Sequence, residues 1–257
     1  MCTRCAFLAG VTAFAAAPAF ASARTGDPAS LEIAMPGMRR LTDTVWLGRM
    51  TPNVWVFTTT KVLDSGYYPA NGAIVVDGKE SLIIDAGWLA EQASVVLDEW
   101  QRTKQPPISR AISTHFHGDR TLGIPVLKAR GIPAYGNPLT IGLALDNQLP
   151  APMPLHDVEK HPVKMGDVEV FYPGPGHTLD NIVVWIPSDR VLFGGCLVKS
   201  TTTGDLGYLE DSDVPAWPAT MRKLAAKYPN AKHVIPGHGT VKGDSIAHTL
   251  ALAIAGK

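Results

Sequence analysis

Hydrophobic and polar positions along this chain fall into two rounds of short apolar runs, each followed by helical spacing. Between residues 31 and 84, the runs Val45-Trp46-Leu47, Val54-Trp55-Val56-Phe57, Ala73-Ile74-Val75-Val76 and Ser81-Leu82-Ile83-Ile84 read as strands, with Asp77-Gly78 as a hairpin turn between the last two. Residues 61–71, Lys61 to Asn71, read as a glycine- and aromatic-bearing loop too long for a tight turn, by composition the solvated tip of a hairpin. Residues 89–104 place Val95, Val96, Leu97 and Trp100 at helical spacing, and Pro106-Pro107 stops them. Residues 108–112 form a β-branched, buried strand. Residues 121–130 read as a helix ended by Gly131-Ile132-Pro133, residues 138–148 as another, and residues 149–154 as a proline-rich connection.

The second round repeats the rhythm without repeating the sequence. Residues 168–172 alternate as a strand, and residues 182–186 and 191–193 pair around Pro187-Ser188-Asp189. Residues 216–228 form a helix, residues 233–235 a short strand, and residues 245–255 a terminal helix. Strands then helices, twice, predict an α/β sandwich: two sheets face to face with helices outside. No linker-like composition separates the halves, so residues 24–257 are expected to form a single domain.

Composition changes this picture at the N-terminus. Residues 1–23 carry one charge, Arg4, then an Ala/Phe/Leu/Val-rich run broken by Pro18, and end in the small-residue pattern Ala21-Ser22-Ala23. That is the expected form of a secretory signal peptide cut after Ala23, which places the mature chain in the periplasm. Of 23 basic and 23 acidic residues the cut removes Arg4, leaving 22 against 23 and a charge of about −1. Near-neutrality excludes an electrostatic case for nucleic acid or an anionic membrane surface. The absence of long amphipathic or charged tracts points to a monomer. The cut also removes Cys2 and Cys5, so Cys196 stands alone and forms no internal disulfide. A single thiol in an oxidising compartment is expected to be buried or held by a metal.

The candidate chemistry begins where the 108–112 strand stops, at Ser113-Thr114-His115-Phe116-His117-Gly118-Asp119-Arg120. Imidazole nitrogens and carboxylate oxygens are ordinary zinc donors. Three further loops, Gly174-Pro175-Gly176-His177-Thr178, Gly194-Gly195-Cys196 and Pro236-Gly237-His238-Gly239, each place one donor beside small residues near a strand end. His115, His117, Asp119, His177, Cys196 and His238 are enough for two metal ions. Their wide separations exclude a zinc knuckle and fit a catalytic cleft at the ends of several strands. Asp85 ends the fourth run, where it either supports such a site or caps the following helix. His156 and His161 lie in polar, proline-flanked segments and read as surface histidines.

These four loops, with Leu197-Val198-Lys199 after Cys196, resemble the metallo-β-lactamases, the first subclass of the class B enzymes, from about Val45 to His238. The resemblance implies an αβ/βα sandwich with the site in the groove between its halves. It implies one zinc on His115, His117 and His177 and a second on Asp119, Cys196 and His238. Lys199 matches the lysine that meets the substrate carboxylate, residues 61–71 the mobile flap, and Asp85 and Arg120 positions that support the metal ligands. The implied activity is hydrolysis of β-lactam antibiotics by a zinc-bridging hydroxide oriented by Asp119, giving antibiotic resistance. Glyoxalase-, lactonase- and ribonuclease-type relatives place a histidine ligand where Arg120 stands and lack the cysteine. Leu122 replaces a common glycine, and Tyr208 occupies the place of a substrate-facing asparagine, where it is expected to alter substrate preference.

Overall fold

The structure, a computed structural model, describes residues 33–63 and 66–257. The predicted signal peptide lies outside them.

The first eight strands are β1 (Arg39–Thr42), β2 (Val45–Arg49), β3 (Val54–Leu63), β4 (Gly66–Asp77), β5 (Glu80–Ile84), β6 (Ile108–Ile112), β7 (Ala134–Gly136) and β8 (Met153–Pro154). They lie side by side in chain order in one sheet. β1 to β5 are antiparallel, and β5 to β8 are parallel. The second sheet, ordered β13-β12-β11-β10-β9, is built from β9 (Val163–Met165), β10 (Val168–Phe171), β11 (Val183–Ile186), β12 (Val191–Gly195) and β13 (His233–Pro236). The helices are α1 (Ala90–Arg102), α2 (Gly118–Thr121), α3 (Ile124–Ala129), α4 (Pro138–Asp146), α5 (Trp217–Lys227) and α6 (Ser245–Ala255).

Alternation along the strands builds the layers, because successive side chains point to opposite faces of a sheet. Val75, Leu82 and Ile84 of the first sheet meet Val170, Val184, Phe193 and Ile235 of the second in one central core. Their chain neighbours Ile74 and Ile83 face outward onto Val96, Trp100 and Leu127 of α1 and α3. On the far side Val183, Leu192 and Val234 face Trp217, Met221 and Leu224 of α5 and Leu252 of α6. Both sheets are apolar on both faces, which explains why their strands read as continuous hydrophobic runs. The result is the expected αβ/βα arrangement of helix, sheet, sheet and helix.

Three expectations need correction. Residues 61–71 are not a loop: β3 and β4 stay paired out to Lys61↔Tyr68, Val62↔Tyr67 and Leu63↔Gly66. β-branched and aromatic residues sustain the ladder. Pro69 is tolerated inside it because its main-chain face points away from β3, where no ladder bond is lost. The helix expected over 121–130 is two short ones, α2 and α3, parted at Leu122 and Gly123 with Pro125 opening the second. A Cβ on Gly123 would sit 2.3 Å from the Ala86 Cβ, so the close passage requires glycine. Finally, β7, β8 and β9 were not visible as strands, since two or three residues carry no period.

Candidate metal centre

All six candidate donors leave strands or loops at one edge of the sandwich. β6 ends at Ile112 and hands the chain to His115, His117 and Asp119; β12 ends one residue before Cys196; β13 ends two before His238. His177 follows β10 on a loop tied down by Ser212, whose Oγ donates to the His177 carbonyl at 2.8 Å. Gly237 passes so close to Cys196 that a Cβ there would lie 2.6 Å from its amide nitrogen and its sulfur.

The donor atoms converge in overlapping groups within 4.8 Å: His115 with His177 and Cys196, His115 with His117 and Asp119, and Asp119 with Cys196 and His238. His117 Nδ1 faces His177 Nε2 at 3.2 Å. His115 Nε2 is buried without any hydrogen-bond partner. Burial, aided by His117 at His115 and by Lys199 at His177, holds both imidazoles well below the usual histidine range, so they are neutral donors. Ring nitrogens turned toward each other and an orphaned buried one fit a cation placed between them. Sequence-predicted ligands are thus brought together without exception.

The other group is charged. Cys196 Sγ lies 3.1 Å from His238 Nε2 and 3.6 Å from Asp119 Oδ2, and His238 Nε2 lies 3.3 Å from Asp119 Oδ2. Burial opposes charge on His238, but Cys196 and Asp119 outweigh it and raise its pKa to about 9. Burial likewise opposes ionisation of Asp119, yet Arg120 and His238 hold it well below the usual carboxylate range. His238 Nδ1 donates to the Pro69 carbonyl of β4, which leaves Nε2 for the cluster.

Arg120, fully buried, sits beneath this group. Its Nη2 reaches Asp119 at 2.8 Å, Cys196 Sγ at 2.9 Å and the Gly237 carbonyl at 2.9 Å. Its Nη1 reaches the Asn71 carbonyl at 2.7 Å and Asp85 at 3.2 Å. Asp85 accepts from the Thr114 amide at 2.8 Å and hydroxyl at 2.9 Å, while α1 is capped by Leu89 without side-chain help. The helix-cap alternative for Asp85 is therefore excluded. Burial raises its pKa to about 6 against the pull of Arg120.

Lys199 lies at the cluster's flank, 8% exposed, with its ammonium 5.3 Å from the Trp217 ring centroid. Burial lowers its pKa, while Cys196 and Asp119 resist the change. Tyr208 sets its ring against His117, centroids 5.6 Å apart, and donates to Glu210. His156 and His161 are exposed, as expected. Two residues escaped the sequence reading. Asp211 bonds His117 Nε2 at 2.9 Å, and nothing in Glu210-Asp211-Ser212-Asp213 distinguishes one acid from another. Asn71 donates to the Pro236 and Gly239 carbonyls at 3.0 and 2.8 Å, clamping the His238 loop onto β4.

Comparison with known proteins follows the same geometry. The family model described as the metallo-beta-lactamase superfamily matches residues 66–238. A metallo-beta-lactamase type 2 from Bacillus cereus is 37% identical over 216 residues, covering 82% of this chain and 83% of that protein. One from Bacteroides fragilis is 32% identical, covering 82% and 86%. Among solved structures, VMB-1 superposes with a TM-score of 0.78 at 38% identity, covering 84% of this chain and 99% of that one. FIM-1 from Pseudomonas aeruginosa, in its mono-zinc form, superposes with a TM-score of 0.79 at 31% identity, covering 83% and 96%. With its donor loops in the same strand-end positions that the sequence motifs marked, the chain belongs to the metallo-β-lactamase superfamily and, within it, to the metallo-β-lactamases themselves.

Proposed function

We propose that this protein hydrolyses the amide bond of β-lactam antibiotics in the periplasm, as a single-domain monomer freed of residues 1–23. The convergence of six donors at one open edge carries this reading. His115, His117 and His177 would hold one zinc, and Asp119, Cys196 and His238 a second. Zinc in such a site supplies hydroxide at neutral pH and an electrophile for the carbonyl oxygen.

The chain's own residues do the rest. Lys199, a compact point charge beside the donors, takes the carboxylate of the lactam and fixes the ring's position. Asp119, kept ionised by Arg120, orients the attacking water. Asp211 holds His117 from behind. The β3–β4 hairpin covers the substrate, and Tyr208, packed on His117, faces the variable side chains and sets preference among drugs. No protein nucleophile is required, so no acyl-enzyme accumulates.

The test is turnover of a carbapenem and a cephalosporin by the mature protein, with chelator, zinc add-back and a count of bound metal. Chelator-sensitive, zinc-restored hydrolysis with about two zincs bound is expected. Two bound zincs without hydrolysis of any β-lactam would overturn the substrate and send the search to lactones and other cyclic esters.

A further inference from the structure

Each flank of the donor cluster carries a lysine lying on an indole. On one side Lys199 lies 5.3 Å from the Trp217 ring, which in turn lies 6.1 Å from the His177 ring. On the other side Lys61 lies 5.5 Å from the Trp88 ring, which lies 6.3 Å from the His238 ring. Lys61 sits on β3 opposite Tyr68, within the hairpin that rises beside the groove, and Trp88 is 6% exposed at the end of the segment after β5.

The charge states of the cations around the groove differ. Arg120 is consumed by Asp85, Asp119 and Cys196. Lys199 is buried on Trp217, with the Asp119 carboxylate acting on it. Lys61 is only half-buried, and no carboxylate among the described residues lies within ion-pair distance of it. An indole face holds an ammonium in place without neutralising it. Among the described residues, the arrangement leaves an oriented positive charge without a carboxylate partner at the His238 flank of the donor cluster.

We infer that Lys61 is a specificity-determining residue that recognises a second anionic group on the substrate, at the end away from the carboxylate taken by Lys199. This rests on the β-lactam reading above. The favoured class is β-lactams whose acyl side chain carries its own carboxylate. The ammonium rests over Trp88 and, on its long stem, can swing to a carboxylate entering under the hairpin. A purely mechanical role, fastening the hairpin to Trp88, would affect every substrate alike. A charge-reading role affects only those with the second anion, and it weakens with salt.

Benzylpenicillin and α-carboxybenzylpenicillin differ by one carboxylate and separate these roles. The zinc-loaded full chain and its Lys61→Met and Lys61→Arg variants would be assayed on both at low and high salt. Binding of the two alkali-hydrolysed products would be measured by calorimetry alongside. Lys61→Met keeps the stem on the indole and removes the charge. It should lower kcat/KM for the carboxylated compound about tenfold, as expected for one charge-assisted contact. Benzylpenicillin should change less than about twofold, and Lys61→Arg should restore the preference. High salt should shrink the wild-type difference, and product binding should follow the same pattern. Equal losses on both compounds, or none on either, would overturn the inference. Failure of the underlying reading looks different: the wild type would then cleave neither penicillin, and the inference would fall with it.

Discussion

The two donor groups are built on opposite electrostatic principles. His115 and His177 are neutral imidazoles, kept so by burial, and with His117 they need only Thr114, Asp211 and packing to aim them. Asp119 and His238 are charged and, with Cys196 between them, stand on a buried guanidinium. Neutral donors can be buried at the cost of two unsatisfied nitrogens, His115 Nε2 and His177 Nδ1, whereas charged ones must be compensated from below or they will not stay buried. The second group therefore depends on one residue, Arg120, and on the β4 strand that supplies the Pro69 and Asn71 contacts. Damage to Arg120 should be felt throughout the protein; damage to Asp211 should be felt only at its histidine.

The largest effect should come from Arg120→Ala. It leaves the buried Asp85 without a cation and the buried Asp119 with His238 alone, and denaturant unfolding of the metal-free protein should show a loss of about 3–5 kcal/mol. Zinc should act almost as strongly in the opposite sense. At about a thousandfold above its dissociation constant it should add roughly 4 kcal/mol, read as a rise in melting temperature that chelator reverses. Cys196→Ser should spare the three-histidine group. At limiting zinc the expected loss in turnover is about a hundredfold, with the second zinc released first in a metal titration; full activity there would show the two groups are not separable. Asp211→Ala should weaken metal binding about tenfold through His117, without the stability loss of Arg120→Ala. The smallest change belongs to Tyr208→Asn, which should reorder kcat/KM values across a β-lactam panel by a few-fold while leaving zinc content unchanged. An unaltered profile would remove Tyr208 from substrate recognition.

Several elements were legible before any coordinates. Strand runs such as residues 81–84 and 191–193 and the helix at 245–255 carried their own period, and α6 has the bounds expected for it. The donors were legible too, because histidine, cysteine and aspartate beside glycine at strand ends have few other uses. The hairpin was misread, since Gly66, Pro69 and Asn71 are loop formers by local preference. Their strand conformation is imposed by pairing with residues 58–63 and by the bonds from Asn71 and Pro69 to the His238 loop. The helix over 121–130 was overextended because the contact of Gly123 with Ala86 is made with a segment far away in the chain.

Local chemistry thus determined which residues could donate to a metal and which segments are strands or helices, for those properties depend on side-chain type and on spacing along one stretch of chain. Tertiary structure decided which of several acids stands behind His117, whether Asp85 caps a helix or faces Arg120, and what lies beneath the charged donors. It also placed Lys61 on Trp88 at the edge of the groove. Apart from the ion pair of the adjacent Asp119 and Arg120, each of those outcomes is a contact between residues tens of positions or more apart in sequence, and its energy depends on burial and on the distance between charges, neither of which a linear pattern contains.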